Sequence, residues 1–271
     1  MDKSLLLRIV SAVCAGLVLL GIYHFFPIQG LVFICLAAAL LSLREFRRLL
    51  FPGMEYPGAL FLYSLIGLGL TIALFIFKTP ALASFCLSAS LYFSGMIIVS
   101  REKISNERLL KDLTLGLFSF FYCILAPWLI SQLIPLPHGA AWFLFLLLVV
   151  FFGDTFAFFG GSLFGKTKLN PSLSPKKTVE GALAGILGSL IASLGFWYFA
   201  RPDLSPALLL GFGAVAGAVG QTGDLLMSLI KRVAQVKDSG RLLPGHGGVL
   251  DRIDGVLLVC PLLYTLATLV H

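Results

Sequence analysis

The sequence predicts an all-α, polytopic integral membrane protein with about nine transmembrane helices. Three observations carry that expectation. Of 271 residues, 58% are hydrophobic and 12% charged, with a mean hydropathy of +0.98. A soluble domain needs polar faces that so few polar residues cannot supply. Nine stretches are apolar and long enough to cross about 30 Å of hydrocarbon. They run near 5–26, 29–43, 57–77, 80–99, 113–134, 139–159, 179–200, 205–227 and 249–270. With the N-terminus in the cytoplasm and the C-terminus outside, only Lys78 and Arg201 of the 20 Lys and Arg residues fall in external segments. Cytoplasmic segments collect Lys and Arg in this way. The net charge of +7 is therefore first a topology signal, then a match to anionic lipid head groups. It does not point to nucleic acid.

The elements follow in order. The first stretch has a basic start like a signal peptide. Its apolar run is too long and lacks a small-residue cleavage site, so it is expected to be the first spanning helix. The second is short and is expected to continue through Arg44–Arg48. The charged connector Arg101–Asp112 is expected to be an interfacial helix or a solvated loop. Residues 1–112 are expected to be scaffold and residues 113–271 catalytic. The seventh and eighth stretches space small residues closely: Gly181, Gly185 and Gly188, then Gly213, Gly217 and Gly220. Such spacing lets helix backbones approach, and packing inside one subunit is favoured over a dimer face. The five cysteines lie in apolar stretches without a CxxC pair and are expected to be small buried hydrophobes.

Acidic residues number only 13, so their placement is informative. Glu45, Glu55, Glu102, Glu107 and Asp112 are expected in loops. Asp154, Glu180, Asp224, Asp238, Asp251 and Asp254 fall in or beside apolar stretches of the second half, where a charge is rarely kept without a use. Chemistry is therefore expected between residues 150 and 255.

Its centre is Ser228–Asp254, SLIKRVAQVKDSGRLLPGHGGVLDRID, a charged, glycine-broken run wedged between two spanning stretches. Asp224 stands just upstream, with Ser228 four residues on and so on the same helix face. Asp251 and Asp254 share one face at the start of the last helix. Paired carboxylates repel unless a cation sits between them, and an oxygen-only set suggests a hard ion such as Mg²⁺. The alternative for this pair is a salt bridge to Arg252 or a loop lysine. Pro244–Gly248 is a tight loop suited to an anion nest. Within it, His246 could bind phosphate, donate a proton or hold the loop. A second basic run, Ser174-Pro-Lys176-Lys177-Thr178, precedes Glu180. It offers two ammonium groups, two hydroxyls and a helix start with free N–H groups for an anion. Asp154 lies upstream of it. Hard cation, basic groups and phosphate-nesting loops at one membrane face are the equipment for phosphoryl or nucleotidyl transfer to a lipid.

The run Ser228-x-x-Lys231-Arg232-x4-Lys237-Asp238-x-Gly240-x2-Leu243-Pro244-x-His246-Gly247-Gly248-Val249-x-Asp251-Arg252-x-Asp254 resembles the full signature of the phosphatidate cytidylyltransferases, the CDP-diacylglycerol synthases. Asp154–Ala157 and Ser174–Gly181 resemble that family too. The resemblance implies that CTP and phosphatidic acid give CDP-diacylglycerol and pyrophosphate. It also implies Mg²⁺ dependence, with K⁺ as a further cation, and a homodimer. By resemblance, Asp224 and Asp251 are metal ligands, with Asp254 and Asp154 as helpers. Lys231, Arg232, Lys237, Lys176 and Lys177 hold phosphates. Ser228, Asp238 and His246 shape the site. Ser174, Thr178, Glu180 and Arg252 are further substrate-side candidates. The expected location is a bacterial plasma membrane, with the site facing the cytoplasm. A transporter and a CTP-dependent lipid kinase are the competing readings. Reporter fusions at Lys78 and Lys176 are expected to read external and cytoplasmic respectively; a cytoplasmic signal at Lys78 overturns the topology.

Overall fold

The computed structural model describes residues 21–51, 57–100, 104–240, 242 and 247–270. Eight helices in it are long and apolar enough to cross a membrane. They are α1 (Pro27–Leu50), α2 (Pro57–Phe75), α3 (Ala81–Ser100), α4 (Asn106–Leu133), α5 (Gly139–Phe164), α6 (Val179–Phe199), α7 (Pro206–Val233) and α8 (Leu250–Leu269). They coincide with the second to ninth predicted stretches. Most of the first stretch lies outside the described residues. Helices are the expected solution, because hydrocarbon offers no partner to an unpaired backbone N–H or C=O. Between α5 and α6 lies a hairpin of β1 (Lys168–Asn170) and β2 (Ser174–Thr178). The chain forms two compact units. One comprises Met1–Trp128 with Ala234–Asp251, the other Leu129–Val233 with Arg252–His271.

In the first unit, α1 runs unbroken through Arg44–Arg48, as the sequence suggested. The core is aromatic. Tyr63 stacks on Phe120 at 5.3 Å, and Tyr92 meets Phe120 edge-on at 5.3 Å. Each phenol finds a partner: Tyr63 Oη and Ser119 Oγ are 2.7 Å apart, and Tyr92 donates to the Asp112 carbonyl at 2.8 Å. Phe120–Leu125 form a π-helical turn within α4. The wider turn carries Phe120, Tyr122, Cys123 and Ile124 into the core together.

Three acids expected in loops are corrected in this unit. Glu45 and Asp112 are not loop residues: both lie in helices and are buried, 3% and 1% exposed. Glu107 is helical as well, in the first turn of α4. The connector becomes helix from Asn106, capped by Ser105, whose side chain accepts from the Arg108 N–H. Arg108 Nε donates to both Asp112 oxygens at 2.9 and 3.0 Å, and its Nη2 donates to the Leu50 carbonyl at 3.0 Å. The charges thereby satisfy each other and the open end of α1. Cys35, Cys123 and Cys260 are buried as expected, whereas Cys86 is exposed.

In the second unit, α5, α6 and α7 pack along a seam of small residues. A Cβ on Gly188 would meet the Phe152 carbonyl at 2.6 Å, and one on Gly217 would meet Ser189 Oγ at 2.6 Å. Ser189 Oγ donates to the Val149 carbonyl at 2.9 Å. The glycine spacing is thus used within the chain. At the far end, Phe145 stacks on Phe196 at 4.2 Å. The Arg201 guanidinium lies 5.4 Å from the Trp142 ring centre and pairs with Asp203 at 2.8 Å. That pairing holds the Asp203 carboxyl below its usual range. A Cβ on Gly185 would meet Gln221 Nε2 at 2.6 Å and the Gly153 carbonyl at 3.0 Å. Gly185→Val is expected to cost about 1–3 kcal/mol by overpacking. The check is a lower melting temperature of the detergent-solubilised protein, followed by size-exclusion chromatography.

Candidate functional site

The hairpin is the polar structure of the second unit. β1 and β2 pair antiparallel, Lys168 opposite Thr178 and Asn170 opposite Ser174. The sequence suggested that Ser174–Thr178 offers the free N–H groups of a helix start. Instead the segment is strand, and α6 begins immediately after it. Thr178 caps that helix, accepting the Gly181 N–H at 3.1 Å. Glu180 accepts the backbone N–H groups of Lys166 at 3.0 Å and Thr167 at 3.1 Å. Both residues thus fasten the base of the hairpin to α6.

A strand turns successive side chains to opposite faces. Lys176 is exposed. Lys177 turns inward, and its Nζ lies 2.7 Å from Asp224 Oδ2 on α7. The same Nζ donates to the Gln221 carbonyl at 3.3 Å. Gln221 is itself buried and donates to the Ala182 carbonyl at 2.9 Å, which ties this turn of α7 to α6. The two polar runs that the sequence showed separately therefore meet at Lys177 and Asp224.

Asp224 has two acidic neighbours. Asp154 on α5 and Asp254 on α8 both interact with its charge. Asp254 is 8% exposed, and its Oδ1 accepts the Gly255 N–H at 2.8 Å. Gly223 lets α8 come this near, since a Cβ there would meet the Asp254 carbonyl at 2.8 Å. Lys231, seven residues after Asp224 on the same helix, extends its charge to Asp254. Ser228 is half-buried between them, whereas Arg232 and Arg252 are exposed. Oxygen-only donors of this kind suit a hard divalent cation. Among the described residues no three acidic, His or Cys side chains converge closely enough to enclose an ion. Lys177 Nζ stands on Asp224 where a cation's charge would be used.

The glycine-rich part of the signature belongs to the first unit. Lys237 and Asp238 are exposed there. Gly247 has φ +84°, which a side chain rarely adopts. Asp251 Oδ2 accepts the Ser239 N–H at 2.8 Å and the Gly248 N–H at 3.2 Å, and it lies 2.9 Å from the Ser239 hydroxyl oxygen. His246 lies outside the described residues. Two residues that sequence reasoning passed over join this segment, Ser239 and Glu45. A lone acid inside the apolar-basic run Leu40–Leu50 was the available signal for Glu45.

A model of the cytidylyltransferase family matches residues 6–270. The chain belongs to this family. Relatives agree on the type of cytidylyltransferase. A phosphatidate cytidylyltransferase of Staphylococcus haemolyticus is 35% identical over 270 residues, 94% of this chain and 96% of that protein. Phosphatidate cytidylyltransferases of Staphylococcus aureus strain COL and of Staphylococcus saprophyticus are 45% and 48% identical over 126 residues. Those two shorter alignments span 46% of this chain and about half, 48%, of each relative. The sequence signature of the family and the full-length match thus point the same way.

In this cytidylyltransferase Glu180 is read as a clasp on the hairpin base. Glu180→Gln removes the charge from the group that accepts both N–H groups, so amide exchange at Lys166 and Thr167 is expected to quicken. Hydrogen-exchange mass spectrometry measures this directly; unchanged exchange removes the clasp.

Proposed function

We propose that this chain makes CDP-diacylglycerol and pyrophosphate from CTP and phosphatidic acid, working at the cytoplasmic face of a bacterial plasma membrane. The observation that carries the reading is Lys177 on Asp224. A basic hairpin is delivered onto an acidic residue of α7, with two further carboxylates within electrostatic reach.

In the reaction a phosphatidate oxygen attacks the α-phosphorus of CTP in line. A new P–O bond forms as the α–β phosphoanhydride bond breaks, and pyrophosphate leaves with the electron pair. Attack of one anion on another is opposed by like charge, so placed positive charge is the main catalytic need. Lys177 is suited to this. Its side chain is 24% exposed and that of Asp224 42% exposed, and pairs so open to water contribute only about 0–1 kcal/mol. Lys177 can therefore exchange the Asp224 carboxylate for a phosphate oxygen at little cost. Lys176, Lys231, Arg232, Lys237 and Arg252 supply further positive charge, with Ser174 and Ser228 as hydroxyl partners and Asp238 and His246 shaping the glycine-rich segment. Asp224 and Asp251, with Asp254 and Asp154 as helpers, are the carboxylates that would hold a divalent cation, Mg²⁺ with K⁺ as its companion, although the described side chains do not enclose an ion as they stand; when bound it would supply charge neutralisation at the reacting phosphates.

The same proposal includes nine crossings with the N-terminus inside, residues 113–271 as the catalytic portion, and a homodimer. Because the glycine seams are used within the chain, the dimer face is sought elsewhere.

The test is product analysis on the purified full-length protein with labelled CTP and phosphatidic acid. CDP-lipid and pyrophosphate are expected. CDP with a phosphorylated alcohol would mark a lipid kinase, and absence of turnover would return the transporter reading. Asp224→Asn and Asp251→Asn are each expected to lower turnover by at least about 100-fold, the loss typical of a removed electrostatic stabiliser. Lys177→Met is expected to do the same while the protein stays folded; near wild-type turnover in Lys177→Met overturns its role.

A further inference from the structure

A buried carboxylate near the end of a spanning helix, 3% exposed, is expensive unless its oxygens are fully partnered. Glu45 occupies that position on α1. Among the described residues it forms no ion pair. Its neighbour Arg47 donates instead to Ser64 Oγ at 3.3 Å. Every partner of Glu45 among the described residues comes from the signature segment about 200 residues later in the chain. Oε1 accepts the Val249 N–H at 2.9 Å. Oε2 accepts the Leu250 N–H at 2.9 Å and the Ser239 hydroxyl at 2.9 Å.

These contacts do two things. They cap α8: the first N–H groups of that helix lack intrahelical partners and face a negative charge, as a helix N-terminus favours. They also close the segment at its neck, because Ser239 and Val249–Leu250 are held by one carboxylate. The glycines at the neck follow from this. A Cβ on Gly240 would lie 2.5 Å from Glu45 Oε1, and one on Gly248 would strike both Glu45 Oε2 and Ser239 Oγ. Gly240 thus leaves room for the Glu45 carboxylate, and Gly248 for that carboxylate, the Ser239 hydroxyl and the Gly240 backbone.

The chain of contacts continues to Asp251. The Ser239 hydroxyl lies 2.9 Å from Glu45 Oε2 and 2.9 Å from Asp251 Oδ2, and the Ser239 N–H also reaches Asp251 Oδ2. We propose that Glu45 is a positioning residue for the cytidylyltransferase reaction, fixing the neck of the 239–250 segment and, through Ser239, the orientation of the Asp251 carboxylate. The proposal rests on the reaction assigned above. Glu45 acts from α1, in the part of the chain that sequence reasoning treated as scaffold.

The experiment uses full-length protein in detergent and four variants: Glu45→Gln, Glu45→Asp, Ser239→Ala and the double variant Glu45→Gln with Ser239→Ala. Glutamine keeps the shape but turns an amide donor toward backbone donors. Glu45→Gln is expected to elute as folded protein, with kcat reduced about 10- to 100-fold, as for residues that orient a metal or catalytic carboxylate. KM for CTP is expected to stay within about threefold, because the neck sets geometry and contributes no uniform binding. Amide exchange at Val249 and Leu250 is expected to rise. The double variant is expected to be no slower than the worse single one, since residues in one network are non-additive. Asp112→Asn serves as the control: it disturbs a buried acid of the same unit and is expected to lower the melting temperature with kcat per folded molecule unchanged.

Wild-type kcat in Glu45→Gln, with exchange at Val249 and Leu250 raised, overturns the proposal. Additive losses in the double variant overturn the route through Ser239. If Glu45→Gln does not fold, Glu45→Asp decides: it retains the charge on a shorter arm, and unchanged kcat there overturns the proposal. Failure of the reaction assignment looks different. Wild-type protein would then make no CDP-lipid, while the exchange response at Val249 and Leu250 would still report the cap.

Discussion

Every departure from continuous helix exposes backbone N–H groups that a membrane interior leaves without a partner. That constraint explains where this cytidylyltransferase places its rare polar side chains. The base of the hairpin exposes the N–H groups of Lys166 and Thr167, and Glu180 takes them. The start of α6 exposes the Gly181 N–H, and Thr178 takes it. The start of α8 exposes Val249 and Leu250, and Glu45 takes both. Asp251 performs the same service for Ser239 and Gly248. The irregular segments are thus fastened by side-chain oxygens, the Thr178 hydroxyl and the carboxylates of Glu180, Glu45 and Asp251, that answer the backbone.

Against this background Lys177 and Asp224 stand out as groups whose main contact is each other. Asp224 is bound to no backbone donor among the described residues, and its neighbours Asp154 and Asp254 add negative charge around it. A carboxylate so placed is held ready for cations, whether an ammonium group or a metal. The capping anions are already committed to structure. Polar residues of similar rarity in the sequence therefore divide by what they touch.

Much of the architecture was legible beforehand, because length and hydropathy decide a spanning helix with little help from tertiary context. Eight stretches lie where their apolar runs lie. What the sequence could not display was partnership. Lys177 and Asp224 were each singled out, yet nothing in a linear pattern says that one faces the other. Ser174–Thr178 reads as a polar connector, and only pairing with Lys168–Asn170 makes it a strand. Glu45 reads as a loop acid because the apolar run of α1 stops at Arg44, although the helix itself is expected to run on through Arg48. The helix continues regardless, since its last turns have α8 to cap and Arg108 to receive. Asp112 was misplaced for the same reason: its charge suggests water, but Arg108 beside it removes the need. The π-helical turn at Phe120–Leu125 left no sequence trace, because its residues are as apolar as the helix around them.

The strand geometry of Ser174–Thr178 has a consequence for its twin lysines. Adjacent residues in a strand cannot look the same way, so Lys176 and Lys177 are not spare copies of one charge. One is turned to the acidic residues of the bundle, and the other to whatever approaches from outside. The register opposite Lys168–Asn170 is irregular between its two pairs, and the way the strand turns there leaves Lys176 exposed and brings Lys177 to Asp224. A pair of identical side chains is thus set in two different surroundings by a single step along the strand.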